Sequence, residues 1–316
     1  MNTAGNPNDD GFESIRPRLL ALAYRLLGSA ADAEDAVQDA YLRLQQVGGV
    51  ESHEGWLVKA TTRLCIDRLR RAKRRAEYVG PWLPEPIPET WEPGKPDQLE
   101  LAESLSMAFL ILLESLSPAE RAAYVLREVF DYEFDEIAEV LDKTAVNVRQ
   151  ITARAKKRLG QKDQRYSPDP GLAEDLAARF FDACRSGDLH SIESMLAEDA
   201  IYYSDGGGRA PAAPKPLVGT HRIANLLSVV FRKRQLACDL ATTIVNGQPG
   251  VVFSMAGAVV QVLTFDSESG RISRLYSVLN PAKLRRWHTP GSPEPGIEPR
   301  FNDNVNASGP IEGPEE

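Results

Sequence analysis

The apolar positions of the chain follow two different periods. Up to residue 163 they recur at the spacing of amphipathic helices. From residue 200 onward they form short runs typical of strands, at 200–204, 236–245, 251–255, 259–265 and 272–279. Helical patterns at 172–186, 188–196 and 220–231 precede or interrupt those runs. The sequence therefore predicts two all-α domains followed by an α+β domain.

Residues 134–159 have the pattern of a helix-turn-helix. Phe134, Ile137 and Leu141 share one helical face, and Asp142 begins a break before a second helix. The outer side and basic end of that second helix carry six candidate contact residues: Arg149, Gln150, Ala153, Arg154, Lys157 and Arg158. Arginine and glutamine can read base edges in the major groove, and the other cations can neutralise phosphates. An ordinary amphipathic helix with a solvated basic face is the alternative.

Further helices are predicted at 15–28, 32–44, 56–75, 99–116 and 117–130. Asp32 is expected to open the second of these, because acidic residues favour the first turn of a helix. Ser117 followed by Pro118 is expected to begin the last. The helix at 56–75 is strongly cationic and starts with Trp56, which either stacks on unpaired bases or anchors the core.

The charge of the chain is segregated. The formal net charge is -8, which excludes a generally basic nucleic-acid coat. Yet residues 59–75 carry a single acid, Asp67, and residues 143–162 carry none, which indicates two local phosphate contacts. Three widely separated cysteines indicate a reducing cytoplasm and neither a zinc site nor a disulfide framework. Without a signal-peptide pattern or a long apolar run, the protein is expected to be soluble and cytoplasmic.

Two linkers and a tail divide the chain. Residues 80–98 are rich in proline and are expected to be extended, while their apolar members are expected to dock on a surface. The helical domains then span 11–79 and 99–163, and a second linker at 164–171 leads to the α+β domain at 172–287. Residues 288–316 are rich in proline, glycine and acids and are predicted to be disordered.

Three segments together resemble extracytoplasmic-function (ECF) RNA polymerase sigma factors: DAEDAVQDAYLRL at 32–44, the helix that begins GWLVKATTRL at 55, and the helix-turn-helix. The resemblance implies an alternative sigma factor that binds core RNA polymerase, through the β′ clamp helices and the β flap, and promoter DNA. The first helical domain would be sigma region 2, with polymerase-binding residues Asp32, Asp35, Gln38 and Asp39. Its −10 element contacts would be Trp56, Lys59, Arg63, Arg70, Arg71 and Arg74. The second would be region 4, whose six residues from Arg149 to Arg158 named above would read the −35 element as duplex.

The α+β domain is similar in topology to the SnoaL-like cone-shaped fold. The loop at 204–209, the segment at 280–284 and the linker at 82–86 resemble signature elements of the sigma-factor subgroup with a fused SnoaL-like domain. The implied interdomain regulatory residues are Trp82, Leu83, Pro84, Glu85, Pro86, Asp205, Gly206, Gly207, Gly208, Arg209, Asn280, Pro281 and Lys283. Two residues depart from the pattern: Arg209 stands for a lysine, and Ala282 for an aspartate, which puts an ion pair at that position in doubt. Regulation in cis, without a separate anti-sigma factor, is the expectation.

No catalytic residue, metal or cofactor is predicted. Among the histidines, only His221 is expected inside the cone. It is near Asp205 in sequence, and a structural hydrogen-bonded pair is favoured over a general base. A binding pocket for a small ligand in the α+β domain is a further alternative. Two other functions are weighed against the sigma factor: a DNA-binding regulator with no polymerase role, and a SnoaL-like enzyme tethered to DNA.

Overall fold

The computed structural model describes residues 7–47, 49–71, 78–91, 105–160, 170–235 and 238–287. The first helical domain contains α1 (Pro7–Leu27), α2 (Ala30–Leu44) and α3 (His53–Arg71). Gly28 ends α1 with a φ of 65°. Helix α2 begins two residues before the predicted Asp32, because the Ser29 side chain accepts a hydrogen bond from the Asp32 amide and caps the helix.

The second helical domain contains α4 (Met107–Leu113), α5 (Pro118–Tyr124), α6 (Phe134–Leu141) and α7 (Ala145–Gly160). The predicted helix over 99–116 differs from the observed one, because Ser106 caps α4 and the helix ends at Leu113. Residues 99–104 of the prediction lie outside the described residues. The Ser117 cap is confirmed as a full capping box with Glu120. A π-helical turn at Val125–Val129 follows α5.

One hydrophobic core is shared by the two helical domains. Leu19 and Leu26 of α1 belong to the same buried cluster as Leu126 and Ile151 of the second domain. A buried arginine, Arg121, also crosses the boundary. The two domains are therefore packed against each other over apolar surface, which is the main favourable term in holding such elements together.

The C-terminal domain pairs helices with a six-stranded sheet. Its helices are α8 (Pro170–Ser186), α9 (Leu189–Met195) and α10 (Thr220–Gln235). The strands are β1 (Leu196–Asp205), β2 (Leu217–Val218), β3 (Asp239–Val245), β4 (Gln248–Met255), β5 (Ala258–Glu268) and β6 (Arg271–Val278). Their order is β2-β1-β6-β5-β4-β3, with β1 and β6 parallel and the other neighbours antiparallel. The predicted fold class is confirmed.

Several local predictions for this domain hold. Asp188 caps α9, and the predicted Asn246-Gly247 hairpin joins β3 to β4 with φ values of 53° and 74°. Strand β1 is longer than the predicted run at 200–204, and β2 was not predicted because two residues give no detectable alternation.

The two faces of the sheet have different partners. Leu263 and Phe265 belong to the core formed with α8, α9 and α10, whereas Val262 belongs to a third cluster with Leu83 and Met107. Successive strand residues point to opposite faces, so the linker and α4 pack on the face away from the helices of this domain. In the described part of the linker, residues 80–91, the structure assigns no helix, and Leu83 and Ile87 are each only 1% exposed.

Within the described ranges, no helix combines the length and apolar character that crossing a membrane requires.

Candidate promoter-binding surfaces and interdomain contacts

The residues predicted to read the −35 element lie together on α7. Val148, Ile151, Ala155 and Leu159 face the core, as the pattern predicted. The opposite side is exposed and carries Arg149, Gln150, Ala153, Arg154, Lys157 and Arg158.

Two of these arginines also contact their own domain. Arg158 donates to the carbonyl of Ser115 at 3.1 Å and pairs with Glu120 at 3.2 Å. The guanidinium of Arg149 lies 5.1 Å from the centre of the Phe134 ring. Arg158 therefore has a structural contact that the sequence pattern did not indicate, because Glu120 lies on α5 rather than on the same helix.

The residues predicted to bind the −10 element are divided by the structure. Arg70 and Arg71 are exposed, whereas Trp56 and Lys59 are half-buried. The Trp56 side chain packs against the shared helical core, which favours the core-anchor alternative. Arg74 lies outside the described residues.

Arg63 of α3 is held by the helix-turn-helix. Its Nε donates to the carbonyl of Val140 at 2.9 Å, and one terminal nitrogen donates to the carbonyl of Glu139 at 3.2 Å. That nitrogen also lies 2.6 Å from a carboxylate oxygen of Asp142, which has a left-handed φ of 52°. An arginine predicted to contact DNA thus caps the C-terminal end of α6, where carbonyl groups have no partner within the helix.

The predicted polymerase-binding residues form an acidic surface on α2. Asp32, Asp35 and Gln38 are exposed and Asp39 is half-buried. Arg68 of α3 lies among the three carboxylates, at 3.9 Å from Asp32, 3.8 Å from Asp35 and 2.9 Å from Asp39. Arg68 thus connects the acidic side chains of α2 to α3. The side chains of Asp32, Asp35 and Asp39 are still 60%, 73% and 48% exposed, so a partner can reach them.

Four residues from distant parts of the chain form what we call the Lys283 cluster: Tyr78, Leu83, Asp205 and Lys283. The fully buried Asp205 carboxylate accepts from the Tyr78 hydroxyl at 2.5 Å, from the Leu83 amide at 2.9 Å and from the Lys283 ammonium at 2.6 Å. Lys283 also donates to the carbonyl of Leu83. Burial, together with the hydrogen bond to Asp205, raises the pKa of Tyr78 well above its usual value, so the hydroxyl keeps its proton.

Aromatic rings complete the environment of Lys283. Its ammonium lies 4.3 Å from the centre of the Trp82 ring and 5.0 Å from that of Tyr78, a geometry that adds cation–π attraction. The carboxylate partner of Lys283 is Asp205, so the departure at Ala282, which is exposed, does not remove this ion pair.

The glycine-rich loop lies against Tyr78 and Val79, the last two residues before the linker, and against Asn280. A Cβ atom on Gly207 would collide with the Asn280 side chain and approach the Tyr78 hydroxyl to 3.0 Å. One on Gly208 would approach Val79 to 3.2 Å, and both glycines have positive φ values, which glycine adopts most readily. Arg209, at the end of the loop, is exposed.

Glu85 of the linker caps α2. Its carboxylate accepts from the amides of Ala30 at 2.8 Å and Ala31 at 3.2 Å, and its side chain is buried. A carboxylate at a helix N-terminus is stabilised by the unpaired amides and the helix dipole. The flanking Pro84 and Pro86 are buried as well.

Asn246 is an interdomain residue that the sequence prediction missed. Besides forming the hairpin turn, its side chain donates to the Tyr24 hydroxyl at 2.7 Å and to the carbonyl of Leu105 at 2.9 Å, and accepts from the Ile87 amide at 3.0 Å. The Asn-Gly turn signal accounts for the backbone alone, so nothing in the local sequence indicated these three contacts.

The placement of His221 was wrong. Its side chain is exposed at the start of α10 rather than inside the cone. Nδ1 lies 2.6 Å from Glu193 and Nε2 lies 2.9 Å from Asn225. The helix-facing side of the sheet is packed with aromatic rings, among them Phe180, Phe181 and Phe265. Across the part of the chain that the structure describes, no His, Cys, Asp and Glu side chains are grouped as a metal site would require.

Comparison with known proteins identifies both helical domains. Residues 12–75 match the family described as Sigma-70 region 2, and residues 106–159 match Sigma-70, region 4. The chain is 34% identical to the ECF RNA polymerase sigma factor SigJ of Mycobacterium tuberculosis, over 86% of this chain and 92% of that protein. It is 29% identical to the probable ECF RNA polymerase sigma factor SigI of the same species, over 88% and 95% of the two chains. The crystal structure of M. tuberculosis SigJ aligns with a TM-score of 0.71 and 28% identity, covering 91% of this chain and 100% of that one.

Proposed function

The chain belongs to the ECF RNA polymerase sigma factors, and we propose that its C-terminal domain regulates it in cis by keeping the two promoter-binding domains packed together. As an alternative sigma factor it binds core RNA polymerase and promoter DNA and directs promoter-specific transcription initiation. We assign polymerase binding to the acidic surface of α2, the −10 element to the basic side chains of α3, and the −35 element to the exposed face of α7.

The observation that carries the proposal is the engagement of Arg63 by the helix-turn-helix, with Asp142 at 2.6 Å. The −10 and −35 elements are about 25 base pairs apart, which corresponds to about 85 Å along B-form DNA. Helices α3 and α6 are in direct contact in this arrangement, which we call the closed state. Both elements cannot be bound at once in the closed state, so the helical domains must separate on the polymerase.

The Lys283 cluster supports a regulatory role for the C-terminal domain. Leu83 lies in the linker that joins the two helical domains, and Asp205 and Lys283 hold its amide and carbonyl. Because Leu83 is bound to the C-terminal domain, the linker cannot extend fully, and this limits the distance by which the two helical domains can separate. The fused domain is always present at high effective concentration, so the closed state requires no separate anti-sigma factor. In this proposal the domain acts by binding and performs no chemistry.

Run-off transcription with purified core RNA polymerase tests the proposal. The informative variant is the double substitution Asp205→Asn with Lys283→Met, because removing both charges avoids leaving one buried and unpaired. We expect more promoter-specific transcript than from the unmodified chain at limiting sigma concentration. Lys215→Met in the same domain is the matched control, since Lys215 is exposed.

Unchanged or lower output from the double variant, with folding intact by circular dichroism, would overturn inhibition in cis. Lack of any transcript from the unmodified chain on its own upstream region would count against the assigned promoter contacts.

A further inference from the structure

A second charged cluster joins the C-terminal domain directly to α2. After the Lys283 cluster the chain forms a 3-10 turn at Arg285–Trp287. The Arg286 guanidinium makes two parallel bonds to the Glu34 carboxylate, at 2.7 and 2.6 Å, and its Nε lies 3.1 Å from Glu85. The Trp91 indole also donates to Glu34 at 3.1 Å. We call Arg286, Glu34, Glu85 and Trp91 the Arg286 latch.

The latch is better formed than an ordinary surface ion pair. The side chains of Arg286 and Glu85 are 20% and 5% exposed, and that of Glu34 is 37% exposed. Two-point pairing of arginine with a carboxylate is among the stronger charge-assisted contacts. The next residue, Trp287, donates its indole N–H to the carbonyl of Pro86 at 3.0 Å, which fixes the turn against the linker.

Glu34 lies on the same helix as the acidic surface assigned to polymerase binding. It precedes Gln38 by four residues, so the two share one helical face, and it is adjacent in sequence to Asp35. Arg286 therefore places a cation of the C-terminal domain at the side of that surface where Gln38 lies. Its neighbour Arg285 is exposed.

We propose that the Arg286 latch is an intramolecular competitor for the polymerase-binding surface of α2. The partner that displaces it is a basic protein surface on core polymerase, whose cation replaces Arg286 on Glu34. Docking then releases the C-terminal turn from α2, so polymerase binding and release of the regulatory domain are coupled. The inference rests on the proposed function, because it takes α2 as the polymerase-binding helix.

The test is the affinity of the full-length chain for core RNA polymerase, measured by titrating a fluorescently labelled chain. The dissociation constant of Arg286→Ala should be roughly fivefold lower, or lower still, than that of the unmodified chain. The reason is that molecules with the latch formed no longer reduce the apparent affinity. Arg285→Ala, which removes the same charge one residue earlier, should leave the dissociation constant unchanged.

A conservative variant keeps the test decisive if Arg286→Ala is poorly folded. Arg286→Lys preserves the charge and the packing stem but loses the two-point geometry, so it should bind with an intermediate affinity. Equal affinities for the unmodified chain, Arg286→Lys and Arg285→Ala would overturn the latch while leaving the sigma-factor assignment intact. Failure of both the unmodified chain and a folded Arg286→Ala to bind core polymerase would instead contradict the assignment of α2.

Discussion

At the scale of single residues, buried polar groups tie the domains together. Arg121 of α5 donates to the carbonyl of Leu26 in α1 at 2.7 Å and pairs with Glu114 at 2.9 Å. Burial lowers the pKa of Arg121 to about 10, so the side chain still carries its charge at neutral pH. Removing the partner of such a group leaves a buried polar atom unpaired, which costs more than the hydrogen bond itself contributes. Single substitutions of buried polar residues such as Arg121 should therefore destabilise the closed state.

The Glu34 carboxylate should make the latch dependent on pH. Burial alone would raise its pKa, but hydrogen bonds from Arg286 and Trp91 outweigh burial, and the pKa of Glu34 is lower than usual. A carboxyl group with a lowered pKa in the folded state stabilises that state above its unfolded pKa, near 4.3, and loses this effect as pH falls through the folded value.

Glu34→Gln should therefore reduce the free energy of unfolding at pH 7 by about 0.5–1 kcal/mol, a small value because Glu34 is partly exposed to solvent. The difference from the unmodified chain should shrink as the pH is lowered below 4. Urea unfolding at several pH values measures it, with the exposed Glu51→Gln as the control. A difference that did not depend on pH would indicate a loss of packing instead of charge.

At the scale of elements, the loops of the C-terminal domain are shaped by what they touch. Gly207 and Gly257 both have positive φ values, but only Gly207 lies against other residues, namely Asn280 and Tyr78. A side chain at Gly257 would meet nothing within 4 Å. A substitution at Gly257 therefore measures the cost of backbone strain alone, whereas one at Gly207 adds the cost of losing the contacts of the loop.

Gly207→Ala should lower the free energy of unfolding by about 1 kcal/mol more than Gly257→Ala, because both strain the backbone while only the first forces the loop away from Asn280 and Tyr78. Thermal unfolding of the two variants gives the comparison. Tyr78 fluorescence is masked by the four tryptophans, so protection of the Leu83 amide from hydrogen exchange is the better local probe. Equal losses in the two variants would argue that the loop is not docked.

At the scale of the whole molecule, the linker acts as a shared element. It packs on the outer face of the sheet through Leu83, caps α2 through Glu85, and bonds to the β3–β4 hairpin through the Ile87 amide. The two helical domains also share one core. In the proposed mechanism, opening on the polymerase separates charged contacts and some apolar surface, and contacts with polymerase and DNA compensate for both.

Ending the chain at Arg165 should expose the apolar surface that the sheet now covers. Leu83 and Met107 belong to the cluster that the sheet completes, so the shortened chain should bind several times more of a hydrophobic dye than the full chain. Leu83→Ser in the shortened chain should reduce dye binding. If truncation left dye binding unchanged, the linker would have to be covered by other parts of the helical domains.

The sequence by itself determined the helical and strand periods, the Ser117 and Asp188 caps, the Asn246-Gly247 turn and the family motifs, because these depend on residues a few positions apart. It also selected Asp205, Lys283 and the linker at 82–86, through motifs that occur together, and the structure brings these residues into contact.

Only the tertiary structure decided which polar side chains leave solvent for a partner. The Arg286–Glu34 pair joins residues 252 positions apart, Asn246 and Tyr24 are separated by 222, and Arg63 reaches across to Asp142. A charged or amide side chain on the outer side of an element has the same local pattern whether it faces water or another domain. Its role is fixed by the packing of apolar faces, which brings distant segments together and leaves each buried polar group in need of a partner.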